Sequence, residues 1–125
     1  MTTVILVTLF FCHFLADYTH LSMAFMLNAK RLGTPLYPIL LHALIHASLM
    51  LVCIVLFFGF NGMFALGLFL FQLITHFIID VWKGKMNYWY PSLQSPANKW
   101  HWVIFGFDQF LHALVIIIMT SLMSM

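Results

Sequence analysis

The sequence predicts an all-α integral membrane protein in which four membrane-crossing helices form a bundle. Of its 125 residues, 64% are hydrophobic and 6% are charged, whereas an ordinary soluble domain has about 25% charged residues. Five basic and three acidic side chains cannot cover a water-facing surface, so the composition excludes a soluble domain. The third observation is the presence of four apolar runs, each close to the length of about 20 residues that a helix needs to cross a bilayer.

Short segments of turn or loop composition separate the four apolar runs. We place the spans at about residues 4–27, 39–58, 63–82 and 102–122, within a single transmembrane domain that covers 1–125. The first loop contains Gly33, Pro35 and Pro38, which interrupt a helix. The segment 59–62 is so short that the second and third spans must be antiparallel neighbours. The third loop, 83–100, contains two prolines and many aromatic residues.

The basic residues predict the orientation of the bundle. All five Lys and Arg residues fall in the first and third loops, which lie on the same side of a four-span protein. Because basic loops stay in the cytoplasm, we expect both termini and the short turn between the second and third spans to face outward. The aromatic residues around the third loop are interpreted as an interfacial belt, with a substrate-binding lid as the alternative. A net charge of +2 is too small and dispersed to indicate a nucleic-acid partner.

Each span carries one pair of ionisable side chains four residues apart. The pairs are His13 and Asp17, His42 and His46, His76 and Asp80, and Asp108 and His112. Residues at this spacing lie on one face of a helix. Such groups are costly inside a membrane, so each pair needs a partner or a function.

The depth of the pairs predicts that they meet. At about 1.5 Å of rise per residue, the last three pairs lie roughly 5 to 15 Å inside the cytoplasmic boundary. The first pair is a little deeper, a mismatch that helix tilt or an early helix end would absorb. Four helices can therefore bring eight ionisable side chains, five of them histidine, into one buried layer.

Metal binding is the chemistry that this layer favours. Neutral imidazole and carboxylate groups are ligands for Zn, Fe and Mn, and eight of them suit one or two divalent ions. The alternatives are a metal-free network, in which each aspartate accepts a hydrogen bond from a histidine, and a proton or ion pathway. Gln72, Thr75 and Gln109 are candidates to orient these ligands. His20 is expected to face the lipid headgroups, although it could add a ninth ligand.

Four motifs carry a resemblance to a known family: His13-Phe-Leu-Ala-Asp17, His42-Ala-Leu-Ile-His46, His76-Phe-Ile-Ile-Asp80 and Asp108-Gln-Phe-Leu-His112. They resemble the signature of a family of small polytopic membrane proteins from bacteria and their phages, catalogued as a domain of unknown function. The resemblance covers nearly the whole chain and implies the fold, the site and a multi-pass location in the bacterial inner (cytoplasmic) membrane. It implies no activity. The family often has a glutamine one turn after the first aspartate, where this chain has Leu21.

The hypothesis that follows is a metal-dependent hydrolase embedded in the membrane, which acts on a lipid-linked or amphipathic substrate from the cytoplasmic leaflet. Asp17, Asp80 and Asp108 are the candidate catalytic residues, as ligands or as a general base. A di-iron oxidative enzyme is the nearest variant. The hypothesis from another class is a non-catalytic metal-binding or ion-conducting module, or an accessory subunit. Four short spans bury little surface, which is compatible with a homo-oligomer or a larger membrane complex.

Overall fold

A computed structural model describes residues 1–125, and it is helical throughout. Its five α-helices are α1 (Thr2–Tyr18), α2 (Ala24–Leu32), α3 (Leu36–Val52), α4 (Gly62–Trp89) and α5 (Lys99–Met123). One π-helical turn, Cys53–Phe57, continues α3, and a short 3-10 helix, Pro91–Gln94, precedes α5. The prediction of an all-α protein is confirmed.

Three of the helical segments are long and apolar enough to cross a membrane. They are Leu36–Phe57, Gly62–Trp89 and Lys99–Met123, with mean hydropathies of 2.5, 2.0 and 1.9 in their most apolar windows. α1 is also apolar but has 17 residues, which is shorter than the other three. The structure therefore supports a membrane protein, while a fourth crossing and the orientation of the termini stay predictions.

The chain between residues 18 and 36 differs most from the expected arrangement. The predicted first span covers residues 4–27, but α1 ends at Tyr18 and a separate helix, α2, occupies part of the predicted loop. α2 is amphipathic: Met26 and Ala29 on one face are buried. Its end is well defined, because Gly33 adopts a left-handed conformation and donates its backbone N–H to the carbonyl of Ala29. Apolar composition alone could not separate this short helix from the span before it.

Four of the helices pack as a ring, and the fifth lies against one side of it. α1 contacts α3 and α5, and α4 contacts the same two helices. α2 packs on α3 and α4. α3 and α4 are joined by a tight turn, in which Asn61 caps α4 by accepting a hydrogen bond from the backbone N–H of Phe64 at 2.9 Å.

A very close backbone approach fixes α2 on α4. A Cβ atom added at Gly84 would lie 2.2 Å from the backbone nitrogen of Gly33 and 2.5 Å from the carbonyl oxygen of Lys30. Side chains do not approach backbone atoms so closely, so only glycine fits at position 84. This contact places the residues of α2 next to the ionisable layer.

The interior divides into an apolar end and a polar layer. The apolar end is built from fully buried side chains that include Ile5, Leu9, Met50, Ile54 and Met119. Cys12 and Cys53 lie here as free thiols, with their Sγ atoms 3.4 Å apart. Thr120 is the one buried polar residue at this end, and its hydroxyl donates to a carbonyl of its own helix. All other buried polar side chains belong to the layer described next, except Gln72, which contacts a histidine of it.

Candidate metal centre

The structure brings all eight predicted residues into one buried layer. His42 and His46 are fully buried, and the other six side chains are exposed by no more than 9%. They come from four helices: His13 and Asp17 from α1, the His42 and His46 pair from α3, His76 and Asp80 from α4, and Asp108 and His112 from α5. α1 ends one residue after Asp17, so the early helix end that the depth argument allowed is present.

Asp17 is the centre of the first half of the layer. Its Oδ1 atom lies 2.9 Å from the Nε2 atoms of both His42 and His46, and these two nitrogens are 3.2 Å apart. Its Oδ2 atom lies 3.0 Å from Nε2 of His13. One carboxylate thus faces three imidazoles from two helices.

Asp80 is the centre of the second half. Its Oδ2 atom lies 3.1 Å from Nε2 of His76, and its Oδ1 atom lies 3.3 Å from Nε2 of His112. Asp108 adds a second carboxylate, because its Oδ1 atom is 3.5 Å from Nε2 of His112. The second half therefore contains two carboxylates and two imidazoles.

His76 connects the two halves. Two groups of ligand atoms are close enough to hold a metal ion, with all atoms of each group within 4.8 Å of one another. The groups are Asp17, His42, His46 and His76, and His76, Asp80 and His112. The ring centroid of His76 lies 3.8 Å from that of His46 and 4.3 Å from that of His112. Because it belongs to both groups, His76 is the ligand that either position would use.

Several buried polar atoms of the second half have no hydrogen-bond partner. They are Nε2 of His76, Oδ2 of Asp80 and Oδ1 of Asp108. The first two face each other at 3.1 Å without making a hydrogen bond. Leaving a buried polar atom without a partner costs about 1–3 kcal/mol, and more for a charged one. Nε2 of His76 and Oδ2 of Asp80 are also close enough to His112 to share one cation with it, so a cation there would satisfy both atoms at once.

Lys30 is a member of the layer that the sequence analysis missed. Its Nζ atom lies 3.6 Å from a carboxylate oxygen of both Asp17 and Asp80, and 3.1 Å from Nε2 of His42. Burial by itself would lower the pKa of this ammonium, but the carboxylates of Asp80, Asp17 and Asp108 hold the pKa above its ordinary value. Lys30 therefore carries a positive charge inside the layer.

A sequence signal for Lys30 did exist. The residues of α2 that face α3 and α4 include Met26, Ala29 and Gly33, and Lys30 shares their spacing of three, four and seven residues. The signal is visible only after α2 is recognised as a helix. When the segment that contains Lys30 is interpreted as a loop, this lysine indicates only the orientation of the protein in the membrane.

The candidate ligand-orienting residues have different roles in the structure. Gln72 lies with its amide nitrogen 3.4 Å from Nδ1 of His76, and the amide of Gln109 donates to Oδ2 of Asp108 at 3.0 Å. Thr75 instead donates to backbone carbonyls of its own helix and does not contact a ligand. His20 is exposed and belongs to neither group of ligand atoms. Gln72 and Gln109 thus orient a histidine and an aspartate of the second half.

A cavity of about 390 Å³ opens beside the layer. Asp17, Lys30 and Asp108 form part of its wall, so the cavity gives access to the ionisable groups. Further lining residues come from the end of α4, the 3-10 helix and the start of α5, and they include His101, whose Nδ1–H donates to the carbonyl of Leu93 at 2.6 Å. A small molecule that enters this cavity would meet two of the three aspartates.

Comparison with known proteins identifies a family but no characterised relative. No curated protein and no solved structure matches the chain. One family model matches residues 5–125, which is nearly the whole sequence. The chain therefore belongs to the family described as "Protein of unknown function (DUF3307)".

Proposed function

We propose that this protein is a metal-dependent hydrolase embedded in the membrane, acting on a lipid-linked or amphipathic substrate that enters from the cytoplasmic leaflet. The single observation that carries the proposal is the cavity that reaches the edge of the histidine and aspartate layer, where Asp17 and Asp108 form part of its wall. A structural metal site is closed, whereas a catalytic one keeps a position open to substrate or water.

The charges of the layer favour one divalent cation. Three aspartates and Lys30 leave a net charge of −2 when the histidines are neutral, and one divalent ion balances that charge. A second ion would leave an excess of positive charge in a buried site, which is unfavourable. The eight predicted ligands therefore hold one ion more readily than two.

The second half of the layer is the better position for the ion. There Nε2 of His76 and Oδ2 of Asp80 have no hydrogen-bond partner and lie 3.1 Å apart. Lys30 lies 3.6 Å from both Asp17 and Asp80, so its charge does not distinguish the halves, but its Nζ atom is 3.1 Å from Nε2 of His42, the nitrogen that a metal in the first half would need. We assign His76, Asp80 and His112 as ligands, with Asp108 as the fourth. This set of nitrogen and oxygen donors suits Zn, Fe or Mn.

The bound ion would supply Lewis acidity and lower the pKa of a water molecule in the cavity. Asp17, which lines the cavity, is positioned to take a proton from that water, and the His13, His42 and His46 imidazoles around it can share the proton. In the hydrolysis, the water oxygen forms a bond to the electrophilic atom of the substrate. The bond to the departing oxygen breaks, and that oxygen receives the proton.

The location of the cavity supports entry from the cytoplasmic side. Its lining includes Arg31 and Lys83, which belong to the basic loops assigned to the cytoplasm by the positive-inside rule. We propose a bundle of four crossings in a bacterial inner membrane, with α1, α3, α4 and α5 as the crossing helices. An amphipathic substrate could then reach the cavity without leaving the leaflet.

A non-catalytic metal-binding module or accessory subunit is the second candidate. Most of the proposed ligands are almost fully buried, and this burial favours the non-catalytic candidate. An ion conduit is disfavoured, because the apolar end of the interior contains no polar path beyond Thr120. The two remaining candidates differ in whether the ion has a coordination position that an added ligand can reach.

Cobalt substitution tests this difference. We would load the purified protein with Co²⁺ in detergent, record its visible absorption bands, and add azide. A catalytic centre predicts that azide changes the band positions and intensities as it enters the open position. Bands from bound Co²⁺ that do not respond to azide would contradict the hydrolase and favour the closed module. The control variant is Asp80→Asn, which lacks one proposed ligand and should therefore not show the absorption bands of bound Co²⁺.

A further inference from the structure

The cavity beside the metal centre is unusually basic for this chain. The whole sequence contains five Lys and Arg residues, and three of them, Lys30, Arg31 and Lys83, line the cavity. The other two, Lys85 and Lys99, do not. Asp17 and Asp108 also line it, so three positive and two negative side chains leave the cavity wall with a net charge of +1.

Arg31 and Lys83 have no anionic partner within the chain. The chain contains only three acidic residues, and all of them contact Lys30 or the histidines of the layer. Neither Arg31 nor Lys83 forms a salt bridge, and the ammonium of Lys83 lies 5.1 Å from the ring centroid of Phe105. Two cations that line a cavity and form no salt bridge indicate that an anion from outside completes the site.

The walls around these two residues are held in place by amide groups. The side chain of Asn87 donates to the backbone carbonyl of Arg31 at 3.0 Å, which ties α2 to the end of α4. Gln94 in turn donates to the carbonyl of Asn87 at 3.4 Å. These contacts hold the backbone at Arg31 close to the turn of α4 that carries Lys83. Both cationic side chains therefore line the same cavity.

One side of the cavity is apolar and open. Tyr18, Leu27 and Phe105 line it and are 59%, 46% and 37% exposed. In a membrane protein, exposed apolar side chains beside a basic cavity provide a surface for an acyl or prenyl chain. The combination of a basic interior and an apolar side therefore matches an anionic headgroup joined to a hydrocarbon chain.

We infer that the cavity binds the phosphate group of a phosphorylated lipid, with Arg31 and Lys83 as its binding residues. The inference rests on the proposed function and names its substrate class. Arginine recognises phosphate through two parallel hydrogen bonds, and lysine adds a point charge. The bound phosphate lies beside Asp17 and Asp108 at the cavity wall, so the phosphoester bond is the one exposed to hydrolysis.

The chemistry of this substrate balances without any further reactant. The oxygen of a water molecule forms a bond to phosphorus, and the bond between phosphorus and the lipid oxygen breaks. Asp17 receives one proton of the water and passes it to the departing lipid oxygen. The products are the lipid alcohol and phosphate.

Lipid binding by the purified, full-length protein tests the inference. The probes are phosphatidic acid in mixed detergent micelles, diacylglycerol in the same micelles, and inorganic phosphate, with affinity measured by thermophoresis. We expect phosphatidic acid to bind more tightly than either of the other probes. Arg31→Gln and Lys83→Gln should each weaken phosphatidic acid binding about tenfold, because each removes a charge-assisted hydrogen bond. Lys85→Gln, on the same helix but outside the cavity, is the matched control and should bind as the unmodified protein does.

Three results would overturn the inference. Equal affinity for phosphatidic acid and diacylglycerol would show that the phosphate is not recognised. Equal affinity for inorganic phosphate and phosphatidic acid would show that the lipid chain is not recognised. A loss in Lys85→Gln as large as the loss in Lys83→Gln would mean that membrane-surface charge, and not the cavity, attracts the lipid.

The metal content of the same samples separates this inference from the proposed function. If phosphatidic acid binding depends on Arg31 and Lys83 but no metal is present, the lipid site stands and the metal-dependent hydrolase is wrong. If metal is bound but the two variants bind phosphatidic acid normally, the hydrolase stands and the substrate class is wrong.

Discussion

Replacing Gly84 by alanine should destabilise the protein through one identifiable contact. The new Cβ atom would lie 2.2 Å from the backbone nitrogen of Gly33 and 2.5 Å from the carbonyl oxygen of Lys30. Ordinary contacts of a Cβ atom begin at 3.4 Å, so α2 must retreat from α4 by about 1 Å. Overpacking of this kind costs about 1–3 kcal/mol, and here the obstacle is backbone, which cannot rotate away.

Gly67→Ala is the control for this substitution. Gly67 lies in the same helix, and a Cβ atom there has no neighbour within 4 Å. Both substitutions gain the same helix propensity, so the difference between the two variants isolates the cost of the clash. We expect Gly84→Ala to be less stable than Gly67→Ala by about 1–3 kcal/mol.

The assay is reversible unfolding in mixed micelles with increasing SDS, followed by far-UV circular dichroism. The unfolding midpoints of the two alanine variants are compared at the same detergent composition. Equal midpoints would refute the close packing of α2 on α4, and with it the physical reason for the position of Lys30. A lower midpoint for Gly67→Ala would refute it equally.

Three further predictions test separate parts of the structure. Gln72→Leu should weaken metal binding about tenfold, because Gln72 orients His76; an unchanged affinity in a competition titration would exclude that role. Asn61→Ala should lower the free energy of unfolding by about 1 kcal/mol through loss of the helix cap, and an unchanged SDS midpoint would contradict the capped turn. A bifunctional thiol reagent should link Cys12 to Cys53 within one chain, because their Sγ atoms are 3.4 Å apart. Mass spectrometry of proteolytic fragments detects the link, and two separately modified cysteines would argue against the packing of α1 on the end of α3.

Much of the fold follows from composition and length. A helix in a bilayer must satisfy its own backbone hydrogen bonds, so long apolar runs predict helices with few alternatives. The predicted spans at 63–82 and 102–122 accordingly lie within α4 and α5. The span at 39–58 covers most of α3, the π-helical turn Cys53–Phe57 and a turn at residue 58. The ends are less predictable, because α4 continues to Trp89 through residues that are polar or aromatic as well as apolar.

The ionisable layer could be predicted because two independent patterns agree. Spacing by four residues sets the helix face of each pair, and position within the span sets its depth. His42, His46, His76 and Asp80 are all at most 1% exposed, and they meet although they come from two helices of opposite direction. Spacing says nothing about which helix lies next to which, so the division into an Asp17 half and an Asp80 half could not be predicted.

Lys30 and the cavity required the three-dimensional structure. Lys30 reaches the layer because a glycine pair allows α2 to lie against α4, and that contact joins residues more than 50 positions apart in sequence. The cavity likewise joins the ends of four helices and the short 3-10 helix. The spacing of Lys30 with Met26 and Ala29 indicates which face of α2 it shares, but no local pattern indicates that this face meets the ionisable layer. The position of Lys30 also affects the number of metal ions. The number of ligands alone allows two ions, whereas the positive charge of Lys30 favours one.

The metal content of the protein purified in detergent is the critical test of the proposed metal centre. We would measure it by elemental analysis for the unmodified chain and for the His76→Ala and His20→Ala variants. His76 belongs to both groups of ligand atoms, whereas His20 is exposed and belongs to neither. We predict about one divalent ion per chain in the unmodified protein and in His20→Ala, and loss of the ion in a His76→Ala variant that retains its helical circular dichroism. Absence of metal from the unmodified protein after incubation with Zn, Fe or Mn, or full retention in folded His76→Ala, would contradict it.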